Sequence, residues 1–267
     1  MTFIYGEAML VAGIDIGSIT TEALLFDREK GLLGYTILPT GADSRKTAEA
    51  ALDKVLASPA KTRSDISYAI ATGCGRKRAE FAREAITEIT CIARGASFLF
   101  PDARTIIDIG GQDTKVIRVD ERGRVLEFEM NDKCAAGTGR FIEVMANALN
   151  VELGKIGELS LKQKKELTIT SICTVFAESE VISLVSEGQE LEDIVYGIHR
   201  AIADRTMGLI NRLGGLQEKV VMCGGVAKNI GVVKALEKVL GASIQTPEEP
   251  QIVGALGAAL LSLEKVA

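Results

Sequence analysis

A short strand-and-turn motif occurs twice in this sequence and constrains the fold more than any other feature. Ile14–Gly17, I-D-I-G, recurs as Ile107–Gly110, an offset of 93 residues from position 14 to position 107. The same offset aligns three further pairs: Thr21 with Thr114, Asp27 with Asp120 and Leu33 with Leu126. Repetition at a fixed offset indicates duplication of one structural unit, here strand, glycine turn, strand, strand and helix. Chance similarity of two buried strands is the alternative.

Composition assigns the duplicated units to the α/β class. The chain has 267 residues, of which 47% are hydrophobic and only 4% aromatic, so its core is built from Ile, Val, Leu and Ala. This length suits two lobes. We predict an N-terminal lobe at 9–102 and a C-terminal lobe at 103–267, with the last helix packing back on the first lobe. A nucleotide is then expected in the cleft between the two copies.

Hydrophobic periodicity predicts the elements within each lobe. Strands are expected at Leu10–Ile16 and Val220–Cys223, and helices at Arg76–Glu84, Thr87–Phe100 and Thr174–Ser186. The glycines between them indicate many tight turns, several of which can approach a phosphate.

Charge and hydropathy exclude several classes of protein. The net charge of −5 argues against a nucleic-acid binder. No apolar run reaches the ~18 residues needed to cross a bilayer, and the N-terminus lacks a signal-peptide pattern. Five cysteines without paired short spacings indicate a reducing compartment, so we expect a cytoplasmic protein whose residues 1–8 are a loose extension. The only histidine, His199, has no nucleophile motif near it, which excludes a histidine-based triad.

Each Asp-Ile-Gly turn places an acid at the end of a strand beside glycines whose amides can face a phosphate. The candidate residues of the first turn are Asp15, Gly17, Ser18 and Thr20. Those of the second are Asp108, Gly110, Gly111, Gln112 and Asp113. Such acids bind magnesium through water or orient an attacking water, and we expect Asp108, Gln112 and Asp113 to be catalytic. The alternative is a pair of glycine-bearing hairpins with no ligand.

Two further glycine-bearing segments are candidates for nucleotide contacts. Gly137, Thr138 and Gly139 either border a phosphate or simply begin a helix. Gly224, Gly225 and Val226 follow a buried strand, where the nucleoside part of a nucleotide can pack against the backbone. We expect both segments to contact the cofactor.

Two cysteines occur in matching contexts, each before an amphipathic helix. Cys134 lies in K-C-A-A-G-T-G-R-F, and Cys173 lies in S-I-C-T-V-F-A-E-S-E. The free N–H groups and the positive dipole end at a helix start stabilise a thiolate. An iron–sulfur cluster or a closed zinc site usually takes four ligands, so one chain supplies half of a set. A twofold axis between two copies would complete it, whereas two inert buried thiols are the alternative.

The sequence resembles the acyl-CoA dehydratase activase and benzoyl-CoA reductase ATPase family, which includes the activators of 2-hydroxyacyl-CoA dehydratases. The resemblance runs from about Val11 to Leu263 and rests on five motifs: D-I-G-S, D-I-G-G-Q-D, K-C-A-A-G-T-G-R-F, C-T-V-F-A-E-S-E and G-G-V-A-K-N. It implies the actin-like, sugar-kinase-like ATPase fold with two duplicated lobes around a nucleotide cleft. It also implies a homodimer that shares one 4Fe-4S cluster.

The resemblance assigns roles residue by residue. Cys134 and Cys173 match the two cluster ligands of each subunit. The first Asp-Ile-Gly turn matches the first phosphate loop, the second turn matches the second, and Gly224 to Val226 match the adenosine motif. Two positions depart from the family pattern: Cys74, where relatives usually have an aromatic residue, and Ile92, where some have histidine.

The resemblance also implies an activity, in which ATP and Mg2+ drive the transfer of one electron through the cluster to another protein. The expected partner is a 2-hydroxyacyl-CoA dehydratase, and the expected electron source is reduced ferredoxin or flavodoxin. A benzoyl-CoA-type reductase or another low-potential iron–sulfur protein is the alternative partner. A small-molecule kinase of the same fold would use Asp113 or Asp108 as base, but it leaves the cysteines without a role. A chaperone-like nucleotide switch is the remaining interpretation.

Overall fold

The computed structural model describes residues 9–170 and 173–266. Residues 1–8, for which the sequence predicts a loose extension, and residues 171 and 172 of the second cysteine motif lie outside the described residues. Within the two described ranges, no helix combines the length and the apolar composition that a bilayer crossing requires.

The described strands and helices are numbered in chain order. The strands are β1 (Leu10–Ile16), β2 (Thr20–Asp27), β3 (Gly31–Pro39), β4 (Ile66–Thr72), β5 (Glu84–Ala85), β6 (Thr105–Ile109), β7 (Thr114–Val119), β8 (Val125–Asn131), β9 (Val220–Cys223) and β10 (Ile244–Gln245). The α-helices are α1 (Ser44–Ala57), α2 (Glu88–Leu99), α3 (Gly139–Ala148), α4 (Ile156–Ser160), α5 (Thr174–Ser186), α6 (Leu191–Arg212), α7 (Ile230–Leu240) and α8 (Val253–Val266).

The chain folds as two compact units. The first contains the residues up to Leu99 together with those from Gln251 onward, and the second is Phe100–Pro250. The predicted lobes, 9–102 and 103–267, place α8 in the second lobe by its position in the chain. In the structure α8 belongs to the first unit, where it contacts β1, β4 and α2.

The first unit is built on a sheet with the strand order β3-β2-β1-β4-β5. The central strand β1 pairs antiparallel with β2 and parallel with β4. Its side chains divide between two cores, because Ile14 and Ile16 pack with α1 whereas Val11 packs with α8. Since side chains alternate between the faces of a strand, Asp15 lies on the same face as Val11, toward α8.

The second unit repeats this sheet. Its order is β10-β9-β6-β7-β8, and β6 pairs antiparallel with β7 and parallel with β9. Ile107 and Ile109 face a core that contains Phe141 of α3, Ile198 of α6 and Leu236 of α7. The strand order and directions of the two sheets correspond one to one, which confirms the predicted duplication and the α/β class.

One predicted helix is wrong. The segment Arg76–Glu84 forms only a 3-10 turn at Arg76–Arg78, and Glu84–Ala85 is strand β5, which pairs with β4. Arg76 fixes the turn, because its Nη1 donates to the carbonyl of Gly73 at 2.9 Å and pairs with Glu88 at 3.1 Å. Strand pairing and this ion pair therefore override a helical pattern that the isolated segment favours.

Candidate functional site

The first Asp-Ile-Gly turn is closed by its own backbone and by threonine hydroxyls. The N–H of Gly17 donates to the carbonyl of Thr20 at 2.9 Å. Thr40 Oγ1 donates to the carbonyl of Gly17 at 2.8 Å and lies 2.9 Å from Thr21 Oγ1. Ser18 is exposed at the bend. The turn is thus rigid, with an exposed hydroxyl at its tip.

Asp15, at the end of β1, lies between two glycines that leave no room for a side chain. A Cβ built on Gly73 would overlap Asp15 Oδ1, and one built on Gly254 would overlap Asp15 Oδ2. Gly73 also has φ +86°, a conformation that favours glycine. Gly254 is in the first turn of α8, so the positive end of a helix dipole lies beside the Asp15 carboxylate.

A pocket of about 310 Å³ lies in the first unit beside this turn. It is lined by Gly17, Ser18, Cys74 and the basic turn Arg76–Arg78, among others. Lys77 and Arg78 are exposed. Backbone amides and cations of this kind bind phosphate oxygens. Cys74 is exposed in this wall, with its Sγ 3.5 Å from the carbonyl of Ile16.

The second Asp-Ile-Gly turn contains a buried ion-pair cluster that the sequence analysis missed. Lys115 Nζ lies 3.3 Å from Asp108 Oδ2 and 2.7 Å from Asp113 Oδ1. Asp108 is 7% exposed and Lys115 is 4% exposed. Burial raises the pKa of the Asp108 carboxyl, and the Lys115 ammonium opposes this shift. The Cys223 thiol also lies 3.5 Å from Asp108 Oδ1.

The position of Lys115 follows from the strand register. Asp108 and Lys115 are direct cross-strand partners in the β6–β7 hairpin, so their side chains lie on the same face. Asp15 and Glu22 are the matching partners in β1 and β2. The duplication together with the alternation of strand residues was therefore a signal that could have found Lys115. Gln112, by contrast, is exposed at the bend.

Gly224 in the second unit takes the place that Gly73 has in the first. It follows β9, has φ +82°, and a Cβ there would lie 2.8 Å from Asp108 Oδ1. Gly225 begins a 3-10 turn that includes the buried Val226. Predicted adenosine residues and predicted phosphate-loop residues therefore meet within one unit.

The Gly137–Gly139 segment begins a helix and also packs against the second phosphate loop. Gly139 starts α3 after Thr138 as N-cap. The N–H of Gly139 donates to the carbonyl of Gly110 at 2.9 Å, and the N–H of Arg140 donates to that of Gly111 at 2.9 Å. The segment therefore begins a helix, which was one of the two alternatives considered from the sequence, and a contact with a phosphate stays a prediction. The segment is a direct backbone link between the loop and the chain that carries Cys134.

Cys134 and Cys173 have different surroundings. Cys173 is exposed and is the N-cap of α5, as predicted. Cys134 is half-buried and precedes α3 as predicted, but the N-cap of that helix is Thr138, so Cys134 lies about a turn before the helix start and does not cap it. Arg205 of α6 instead approaches it, with Nη2 at 3.7 Å from Sγ. Since α3 and α5 are in contact, the two cysteines precede neighbouring helices.

The remaining thiols in the described chain differ from this pair. Cys91 and Cys223 are buried, and burial raises the pKa of the Cys91 thiol to about 12, which keeps it protonated. Cys74 is exposed but belongs to the first unit. Within 9–170 and 173–266, no three His, Cys, Asp or Glu side chains gather as a metal site. A donor set of two cysteines fits a cluster only if further ligands come from another chain.

His199 is fully buried in α6, as a structural histidine should be. Its Nε2 lies 3.2 Å from Asn229 Nδ2, and Asn229 Oδ1 accepts the N–H groups that begin α7. Burial lowers the pKa of His199 to about 3, so the ring is neutral. The residue therefore connects α6 to the start of α7.

The BadF/BadG/BcrA/BcrD ATPase family model matches residues 12–262. The chain belongs to this family. This membership confirms the family predicted from the five motifs, and the actin-like ATPase fold is confirmed with it.

A curated relative and two solved structures resemble this chain along nearly its whole length. The activator of lactoyl-CoA dehydratase from Anaerotignum propionicum is 47% identical, over 96% of this chain and 98% of the relative. The crystal structure of (R)-2-hydroxyglutaryl-CoA dehydratase component A from Acidaminococcus fermentans is 44% identical, with TM-score 0.93 over 97% of this chain and 99% of that one. The activator of the 2-hydroxyisocaproyl-CoA dehydratase from Clostridium difficile, with bound ADPNP, is 43% identical, with TM-score 0.90 over 96% and 95%.

Proposed function

We propose that this protein is an ATP-dependent one-electron donor that activates a 2-hydroxyacyl-CoA dehydratase. The observation that carries the proposal is the backbone link of Gly139 and Arg140 to Gly110 and Gly111. This link joins the second phosphate loop to the segment that holds Cys134. The names of the relatives support the same activity, because each is an activator or component of a dehydratase that acts on a 2-hydroxyacyl-CoA.

The two Asp-Ile-Gly turns are the phosphate loops for magnesium–ATP in this proposal. Backbone amides of the glycine turns hold the phosphates, together with the hydroxyls of Ser18 and Thr20 and the Gly137–Gly139 segment. Asp15 and Asp108 hold Mg2+ directly or through water, since Mg2+ prefers carboxylate oxygens. The adenosine packs against the residues that follow β9: Gly224, Gly225 and Val226.

Hydrolysis requires a water in line with the terminal phosphate and compensation of the charge that develops there. We assign the positioning of this water to Gln112, which is exposed at the bend, and to Asp113. Asp108 anchors the metal. Lys115 holds Asp108 and Asp113 at fixed positions through its two ion pairs. Lys115 is therefore a positioning residue of the second loop.

Cys134 and Cys173 of each of two subunits are the proposed ligands of one 4Fe-4S cluster. Such a cluster supplies a one-electron carrier of low potential. The surface beside Cys173 supports a subunit contact, because Val175 is 65% exposed and Phe176 is 69% exposed. Apolar side chains exposed in a single chain are typically covered in an assembly. With two subunits, four thiolates surround the shared site.

The electron is proposed to come from reduced ferredoxin or flavodoxin and to pass to the dehydratase. A benzoyl-CoA-type reductase is the alternative acceptor. The described cysteines are all free thiols, which suits a reducing cytoplasm and is the basis for placing the activity there.

Iron content tests the ligand assignment. Anaerobically purified protein should bind four iron atoms per dimer, and Cys134→Ala and Cys173→Ala should each abolish binding because a missing thiolate opens the cluster. Cys74→Ala is the matched control, since Cys74 is also exposed, and it should keep the iron. Four iron atoms per monomer, or a wild-type iron content in either Cys134→Ala or Cys173→Ala, would contradict the assignment.

Electron transfer tests the activity itself. The reduced protein is mixed with a 2-hydroxyacyl-CoA dehydratase under ATP, under a non-hydrolysable analogue and with no nucleotide. Transfer should require ATP. Transfer that is equally fast without nucleotide would refute ATP-driven donation, and transfer only to a reductase would replace the dehydratase as partner.

A further inference from the structure

Arg205 is the charged side chain that the structure brings to Cys134. It lies in the middle of α6, with Nη2 3.7 Å from Cys134 Sγ. This separation is within the range of an N–H to sulfur hydrogen bond. Arg205 is half-buried, so its charge is only partly screened by solvent.

The loop around Cys134 is shaped to admit this side chain. Gly137 has φ +91°, and a Cβ there would lie 3.1 Å from Arg205 Cδ. The aliphatic part of Arg205 thus packs against the glycine backbone. Asn131 Nδ2 donates to the carbonyl of Cys134 at 2.9 Å and fixes the loop from its other side. The contact between Arg205 and Cys134 is therefore built by several residues.

The two cysteines are stabilised by different means. Cys173 is the N-cap of α5, so the positive end of the helix dipole lies beside it, although its side chain makes no capping hydrogen bond. Cys134 lies a turn before α3 and lacks that position. The positive charge at Cys134 is instead the guanidinium of Arg205.

We propose that Arg205 is a positioning residue that orients Cys134 and raises the reduction potential of the cluster. This inference rests on the proposed function, in which Cys134 is a cluster ligand. A donor to a ligand sulfur, and a positive charge beside it, favour the state that carries one more electron, because hydrogen bonds to the sulfurs and local charge set the potential of a cluster. With one Arg205 per subunit, two guanidinium groups act on the shared site.

The test is a redox titration of the anaerobically purified dimer, poised with dithionite and followed by electron paramagnetic resonance. Arg205→Gln removes the charge and leaves a shorter, neutral amide. We expect it to lower the equilibrium constant for cluster reduction at least tenfold, which is about 59 mV for one electron. Arg200→Gln is the matched control, since Arg200 lies on the same helix and pairs with Asp204 at 2.9 Å. It should keep the wild-type potential.

Each outcome decides the matter. An Arg205→Gln potential equal to that of the wild type overturns the inference and leaves the proposed function intact. Wild-type protein without iron overturns the proposed function, and the inference with it. If Arg205→Gln binds too little iron, Arg205→Met is titrated, because methionine can still pack against Gly137 but lacks both the charge and the N–H donor. A shift of at least threefold, about 28 mV, supports the inference, and an unchanged potential refutes it.

Discussion

Replacing Lys115 by methionine should destabilise the second unit strongly. The side chain keeps its length but loses the ammonium that lies between Asp108 and Asp113. Removing one partner of a buried ion pair costs about 3–5 kcal/mol, because the other charge stays buried. The Asp113 side chain is 27% exposed, whereas that of Asp108 is only 11% exposed. Solvent screens part of the loss at Asp113, so we expect about 3 kcal/mol.

This loss should depend on pH in a defined direction. Burial already raises the pKa of Asp108, and loss of Lys115 raises it further. A carboxyl with a higher pKa in the folded state than in the unfolded chain binds more protons when folded. Stability is therefore lowered at pH above both pKa values and is recovered as pH falls. The deficit of Lys115→Met should be larger at pH 8 than at pH 5.

Urea unfolding followed by circular dichroism at the two pH values measures this deficit. The matched control is Lys155→Met, because Lys155 pairs with Glu152 at 2.8 Å but its side chain is 69% exposed. Surface pairs contribute about 0–1 kcal/mol, so the control should unfold like the wild type at both pH values. A Lys115→Met variant that matches the control, or a deficit that is the same at pH 5 and pH 8, would contradict the assigned ion-pair cluster.

Two further predictions follow from buried titratable groups. Burial holds the pKa of His199 at about 3, against 6.5 for an exposed ring, so the unfolded chain gains a proton first and stability is lost as pH falls from about 6.5 toward 3. At pH 5 the loss of unfolding free energy amounts to about 2 kcal/mol. Urea unfolding at pH 7 and pH 5 measures it, and His199→Gln should not show this loss between the two pH values. If His199→Gln loses as much stability as the wild type, other groups cause the pH dependence. Asp108→Asn should reduce ATP hydrolysis at least a hundredfold while the iron content stays at the wild-type value, and normal hydrolysis would show that the second loop is misassigned.

The sequence predicted elements whose formation depends on local pattern. Strands β1 and β9 and helix α5 have the predicted bounds, because a buried apolar run or an amphipathic period ends at each boundary. The repeated motif predicted that the two units share one arrangement of strands, and the matching strand orders confirm this. The helix predicted from periodicity at Arg76–Glu84 is absent, because Glu84 pairs as a strand with β4, which precedes it in the chain.

The site could be predicted only where its residues are adjacent in the chain. Both Asp-Ile-Gly turns and the two cysteine motifs are continuous segments, so their composition alone marks them as candidate sites. Arg205 is 71 residues from Cys134, and on an amphipathic helix it is indistinguishable from a solvated arginine. Lys115 alternates with apolar residues in a strand, a pattern that favours a solvent-facing side chain. Only the folded structure places Arg205 beside the Cys134 sulfur and Lys115 beside the carboxylates of Asp108 and Asp113.

The two hairpins keep the same acid but stabilise it differently, and this difference bears on coupling. Asp15 lies against the first turn of α8 and is paired across the strands with Glu22, whereas Asp108 is paired with Lys115. The Asp15 carboxylate is fixed beside a helix terminus, whereas the second turn is fixed by the two ion pairs of Lys115. The second turn is also hydrogen-bonded to the start of α3 through Gly110 and Gly111. If nucleotide binds at this turn, as we propose, this backbone link is the route by which binding would act on the segment that carries Cys134.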